Sequence, residues 1–200
     1  MNMRQRRKSN KGKIATATIV IAVILIAALA WYQSNSSSPP PANAGRVLLV
    51  TSKGNITLQL YDDMPITTNN FINLVKQGRY NGTLIHRVAH DFVIQGGRIA
   101  GASVAAIPDE NIGRHSNVEG SVAMAKAGAN TATSEFYINL KDNTGLDSNY
   151  SVFGKVIGGM TVVHSIGMVQ TRGDLDPTLT GLDAQVPVED VFLLVAYLID

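Results

Sequence analysis

Residues 84–97 read LIHRVAHDFVIQGG, and the fold turns on how this stretch is read. Alternation over Leu84–Val88 and again over Phe92–Gln95 predicts two short strands, bent at Ala89–Asp91. On a two-residue period, Ile85 and Arg87 share one face of the first strand. Val93 and Gln95 share a face of the second, with Phe92 on the other. An arginine among apolar residues is costly to bury unless it is paired. Gln95 on the neighbouring strand can pair it and leave a guanidinium edge for a ligand. A surface arginine on an amphipathic strand fits the same stretch equally well.

Outward from this stretch, Arg46–Thr51 and Asn55–Tyr61 are apolar or alternating runs around Ser-Lys-Gly, a hairpin signal. Pro65 precedes Thr67 and Thr68, either of which can cap a helix carrying Phe71, Leu74 and Val75 and ending at Gly78. Residues 101–113 read as a long loop. Gly120–Ala125, Glu135–Leu140 and Ser151–Val156 read as strands, and Asp142–Tyr150 as a loop. A short helix is expected around Val162–Met168, a loop over Thr171–Val186, and a closing strand over Val188–Ile199. About eight strands, two helices and no βαβ alternation predict a mainly β fold: an eight-stranded antiparallel closed barrel capped by two helices.

Two hundred residues suit one domain with appendages. The absence of cysteine excludes disulfides, thiolate catalysis and cysteine-ligated metals. Arg4, Arg6, Arg7, Lys8, Lys11 and Lys13 cluster with no acid among them, whereas residues 14–200 hold 11 Lys and Arg against 15 Asp and Glu. The domain is therefore mildly acidic, which gives no support for nucleic-acid binding.

Residues 14–32 form a 19-residue run without charge. As a helix it would extend about 30 Å, the thickness of a bilayer core. The basic tail, 1–13, is then expected to stay cytoplasmic, with Trp31 and Tyr32 at the far interface. The expectation is one transmembrane signal-anchor, single-pass in the cell membrane, with the domain extracytoplasmic. The alternative is secretion after cleavage at the small-residue site around Ala28-Leu29-Ala30. Residues 33–45 are Ser/Pro-rich and read as a linker, so the folded domain is expected over 46–200.

His86 and His90 stand four apart, a metal-pair spacing on a helix. Here the pattern is strand and bend, with no third ligand at a suggestive spacing, so no metal is expected. No Gly-x-Ser-x-Gly elbow and no phosphate loop occur. There remains Arg87 with an apolar and aromatic set, Phe92, Val93, Met124, Phe136, Tyr137 and Leu146. Period 2 alone leaves open whether these fill a barrel or line a pocket on its outer face.

Five separated stretches, in order, resemble the cyclophilin family of peptidyl-prolyl cis-trans isomerases. They are NNFINLVKQGRYNGTLIHRV, DFVIQGG, GSVAMAKAGANTATSEFYINL, LDSNYSVFGKVIGGMTVV and the closing strand. Together they cover nearly all of 46–199, with short loops like those of prokaryotic members. The resemblance implies an eight-stranded barrel with two helices and a substrate site on its outer face. It implies isomerisation of X–Pro bonds without a cofactor, on proline-containing polypeptides, by a monomeric domain. By position it makes Arg87 the catalytic donor, with Gln95 orienting it and Phe92 beside it. Phe92, Val93, Tyr137 and Leu146 would form the proline pocket, with Met124 behind. Ala125, Lys126 and Ala127 would align the substrate backbone, with Glu135 and Tyr150 completing the site.

Five positions depart from the best-known pattern. Val93 replaces Met, Tyr137 replaces Phe, and Tyr150 replaces His, as in prokaryotic members. Gly145 replaces Trp, which removes a stacking surface and implies weaker cyclosporin binding. Glu135 replaces Gln. Being acceptor-only, Glu135 is expected to compete for Arg87 or to attract a basic residue beside the substrate proline. The resulting expectation is a membrane-anchored isomerase assisting exported or surface proteins. The alternative is a proline-segment binding or chaperone module with little turnover.

Overall fold

The computed structural model describes residues 43–99 and 104–199. The basic tail and the candidate signal-anchor lie outside the described residues, as do residues 33–42 of the linker. Among the described residues no helix is long and apolar enough to cross a membrane.

Nine strands form one antiparallel sheet. They are β1 (Asn43–Thr51), β2 (Gly54–Tyr61), β3 (Thr83–Leu84), β4 (Arg87–Ala89), β5 (Val93–Gly96), β6 (Ser121–Met124), β7 (Phe136–Asn139), β8 (Val152–Gly158) and β9 (Phe192–Ile199). Their spatial order is β3-β9-β1-β2-β8-β6-β7-β5-β4. Among the described residues the strands number nine where eight are expected, and their hydrogen-bonded ladder is not a closed ring, because it ends at β3 and β4. The reason lies in the opening stretch: Leu84 still pairs with Phe192, whereas Arg87 pairs with Gln95. Ile85 and His86 carry the chain from one edge of the sheet to the other, and the Gly97 N–H donates to the Leu84 carbonyl at 3.3 Å. Ile85 consequently packs inside with the core, and it does not share a face with Arg87.

The first hairpin is built as its sequence dictates. Thr51 closes the Ser52-Lys53 turn through its hydroxyl, which donates to the Gly54 carbonyl at 2.6 Å. Val47, Leu49, Ile56, Leu58 and Leu60 alternate inward. Pairing of Asn43 with Tyr61 extends β1 three residues into the expected linker.

Helix α1 (Pro65–Lys76) has proline in its first turn, where the missing N–H is no loss. Neither Thr67 nor Thr68 caps it. The cap comes from Glu110, whose Oε1 and Oε2 accept the N–H groups of Ile66 (2.9 Å) and Thr67 (2.8 Å). A carboxylate here meets both the unpaired donors and the positive end of the helix dipole. Phe71 of α1 meets Tyr80, Phe136 and Phe153 with ring centroids 5.1–5.4 Å apart. Gly97, at φ +76°, closes this cluster: an added Cβ would lie 2.8 Å from Tyr80 and 2.9 Å from Phe136.

Helix α2 (Met160–Gly167) buries Val163 and Ile166. The segment read as loop over 171–186 contains two single-turn helices, α3 (Arg172–Leu175) and α4 (Gly181–Ala184). Thr171 and Asp174 form a reciprocal capping box at the start of α3.

Candidate functional site

Alternation along β5, β6, β7 and β8 divides the apolar residues between two faces. Ile94, Val122, Met124, Phe136, Ile138 and Phe153 enter the main core. Val93, Ala123, Tyr137 and Val152 face the other way and pack with Ala89 as a second cluster, against which Phe92, Leu146 and Tyr150 rest. The ambiguity between barrel interior and outer pocket is thereby resolved: the second cluster floors a cavity of about 470 Å³ on the outer face.

Arg87 stands at one wall of this cavity. Its Nη1 donates to Gln95 Oε1 at 2.9 Å, between residues directly opposite across β4 and β5. Its Nε donates to Gln185 Oε1 at 2.6 Å. A guanidinium has five N–H donors; the Nη2 pair has no partner among the described residues and is available to a ligand. Partial burial lowers the Arg87 pKa, opposed by Tyr150, yet an arginine stays cationic at neutral pH. Phe92 precedes β5 in the turn through Asp91, at φ +54°. It is not on the opposite face, as the two-residue period required; its ring centre lies 5.9 Å from Arg87 Cζ.

Val93, Ala125, Lys126, Ala127, Glu135, Tyr137, Leu146 and Tyr150 all line the cavity with Arg87, Phe92 and Gln95. Met124 does not. It is 2 % exposed and packs in the main core, while its neighbour Ala123 faces the pocket. Lys126 is half-tied: its Nζ meets Asp109 Oδ2 at 2.6 Å and lies 5.6 Å from the Tyr150 ring centre. Tyr137 offers more than an apolar wall. Its hydroxyl donates to the buried Asn117 Oδ1 at 2.7 Å, and burial raises its pKa. Asn117 is held in turn by Asp147, to which its N–H (2.6 Å) and Nδ2 (2.9 Å) donate. Asn143 Nδ2 donates to the Phe92 carbonyl at 2.9 Å, tying the pocket turn to the same polar layer.

Glu135 does not pair with Arg87, contrary to expectation. Its Oε2 accepts from Gln95 Nε2 and its Oε1 from Arg98 Nε, each at 2.8 Å. His86 Nε2 lies 3.2 Å from Oε2, an ion-pair distance without good hydrogen-bond alignment. His86, then Arg98 and Gln95, hold the Glu135 pKa down to about 2 against the opposing effect of burial. His90 turns away from the pocket to Gly167 and Asp174. Among the described residues no group of three or more potential metal ligands occurs.

Gln185, Arg98, Asn117 and Asn143 were not legible as site residues. Gln185 is 98 residues from Arg87, and only the Thr171-x-x-Asp174 capping pattern signals order in its segment.

The family described as "Cyclophilin type peptidyl-prolyl cis-trans isomerase/CLD" matches residues 46–188. A peptidyl-prolyl cis-trans isomerase of Acinetobacter baylyi is 40% identical over 161 residues, covering 74% of this chain and 82% of that protein. Human peptidyl-prolyl cis-trans isomerase-like 1 is 37% identical over 173 residues, covering 82% of this chain and 95% of that one. A crystal structure of a Cryptosporidium parvum cyclophilin-type isomerase, in the presence of the dipeptide Ala-Pro, superposes with a TM-score of 0.67. It is 22% identical and covers 78% of this chain and 99% of its own.

Proposed function

The chain belongs to the cyclophilin family of peptidyl-prolyl cis-trans isomerases, and from that premise we propose that Arg87 is the donor that drives X–Pro rotation. Resonance gives the amide C–N bond partial double-bond character and a barrier of ~18–20 kcal/mol. As the bond twists, the prolyl nitrogen recovers its lone pair. A guanidinium N–H aimed there binds the twisted state more strongly than either planar one, which is how a site accelerates a reaction without a nucleophile or a metal. The observation that carries this reading is the double anchoring of Arg87. Gln95 and Gln185 fix two N–H groups, and Nη2 remains beside the apolar cavity. Phe92, Val93, Tyr137 and Leu146 are assigned to the proline ring. The Ala125–Ala127 backbone is assigned to the substrate main chain, which it would meet as an added extended segment. The dipeptide title of the Cryptosporidium structure supports a proline-containing ligand.

Arg87→Ala, assayed in a protease-coupled proline-peptide measurement, tests the assignment. Loss of most of the catalysed rate is expected, and a rate equal to the wild type would remove Arg87 from the mechanism. Glu135, the residue that would favour a binding module with little turnover, bonds to Gln95 and Arg98 and not to Arg87.

The proposal extends to where the enzyme works. Six cations before a 19-residue uncharged run support a cytoplasmic N-terminus and an extracytoplasmic domain, whose substrates would then be exported or surface proteins. External protease on intact cells or spheroplasts is expected to digest the domain and spare the N-terminus. Mature protein that begins near Trp31 and leaves the membrane in a salt wash would instead establish secretion after cleavage.

A further inference from the structure

Gln185 reaches the active site from a segment that also contributes Leu182 to the cavity lining. Its amide oxygen accepts from Arg87 Nε at 2.6 Å. Because arginine can only donate, the amide oxygen is the end that must face it. Its main chain is docked on the same strand: the carbonyl accepts from the Val88 N–H at 2.7 Å. The segment that carries Gln185 is fastened at both ends, by Arg172 N–H to the Val186 carbonyl and Val188 N–H to the Gln170 carbonyl, both 2.9 Å. It is also close-packed within itself, since a Cβ at Gly173 would lie 2.9 Å from that of Ala184.

We propose that Gln185 is a positioning residue for the isomerase reaction, fixing the plane of the Arg87 guanidinium jointly with Gln95. The inference rests on the assignment of Arg87 as donor. A single anchor at Nη1 leaves the planar guanidinium able to pivot about that contact through the torsions of its aliphatic stem. A second anchor at Nε defines the plane and aims Nη2. An arginine aimed before the substrate arrives loses less freedom in the twisted state, so the benefit falls on the chemical step and not on binding. A glutamine that only satisfied a buried donor would affect stability and leave the rate per bound substrate unchanged.

The test is Gln185→Met in the full chain. The change is near-isosteric, removes the acceptor and retains the main-chain bond to Val88. Three quantities are measured: kcat and KM on a neutral Ala-Pro peptide, the melting temperature, and the Arg87 Nε–H resonance by NMR. The expected result is a roughly ten-fold fall in kcat with KM little changed, as follows from losing one hydrogen bond to a charged group in the transition state. The Nε–H resonance should shift and exchange faster with solvent, at an unchanged melting temperature. Unchanged kcat alongside a large loss in Arg87→Ala would overturn the role of Gln185 and leave Arg87 in place. A fall in kcat with an undisturbed Nε–H resonance would also overturn it, assigning the loss to packing. A wild-type rate in Arg87→Ala would instead overturn the donor assignment and this inference with it. Should the methionine variant melt early, Gln185→Ala repeats the same three readings.

Discussion

Glu135 Oε2 accepts the Nε2–H of Gln95 at 2.8 Å, and that bond holds the Gln95 amide in the orientation that the donor-only guanidinium of Arg87 requires. With Nε2 committed to the carboxylate, Oε1 is left to accept from the guanidinium at 2.9 Å. The carboxylate thus acts on Arg87 through an intermediary. Glu135→Gln retains an acceptor for Gln95 and is expected to keep turnover of neutral peptides within about two-fold. Glu135→Leu removes the tether on Gln95 and is expected to lower kcat by several-fold, the consequence of about 1 kcal/mol of lost alignment. Equal rates in the two variants, measured on a neutral Ala-Pro peptide, would show that the carboxylate does not orient Gln95. Because the Glu135 pKa lies near 2, no step in the activity profile between pH 4 and 9 should vanish in Glu135→Gln.

Arg87→Lys is expected to abolish most of the catalysed rate while the domain stays folded. An ammonium cannot donate from two rigidly spaced nitrogens to Gln95 and Gln185 and still present a third edge. Circular dichroism and the melting temperature should change little. A lysine variant with near wild-type turnover would mean that charge alone suffices.

The helix cap supplied by Glu110 is expected to matter for stability and not for chemistry. Glu110 is only 6 % exposed, and Glu110→Ala strands two backbone N–H groups at the start of α1. A loss of about 2 kcal/mol is expected, read as a lower urea midpoint at unchanged slope. Glu110→Gln, keeping one acceptor, should lose less.

His90 sets a pH dependence with a definite sign. Its Nδ1 faces the Gly167 carbonyl at 2.7 Å and its Nε2 faces Asp174 at 3.1 Å. The Gly167 carbonyl first, then Asp174, raise its pKa. A raised folded-state value favours the protonated fold. The contribution is therefore complete below the ordinary histidine pKa of about 6.5, and it is lost as pH rises through the raised value. The stability difference between wild type and His90→Asn should be largest at mildly acid pH and shrink toward alkaline pH. A difference that is flat or grows with pH would reverse the assignment.

Gly145 sits in the 3₁₀ turn Thr144–Leu146, and a Cβ added there meets nothing within 4 Å. Gly145→Trp is expected to fold with an unchanged melting temperature and to restore a stacking surface. Titration of both proteins with cyclosporin should give the tighter dissociation constant for the variant; equal constants would separate Gly145 from the ligand site.

Those parts of the candidate site that lie on regular strands are legible in the sequence. Arg87 and Gln95 are eight residues apart, and a two-residue period through a short bend is enough to place them opposite each other. It failed where the period broke. Phe92 belongs to a turn whose left-handed Asp91 resets the facing; at Met124 the period holds and sends the side chain to the core, and only the resemblance assigns it to the pocket. Gln185 meets Arg87 from a segment of one-turn helices too short to carry an apolar stripe. The α1 cap misled for a related reason. Thr67 and Thr68 satisfy the local rule, but the actual donors are met by Glu110, more than forty residues onward, and no local pattern encodes that.

The place of β1 between β2 and β9 has a consequence for how the protein is made. Arg46 pairs with Gln59 early in synthesis, but its other neighbour is Ile199. Until that strand is in place, the first hairpin carries a bare edge, the kind of surface on which unfolded chains aggregate. The start of α1 likewise waits for Glu110. Contacts of such long sequence separation form slowly, so the two pairings that complete β1 and α1 are expected to be late steps in folding.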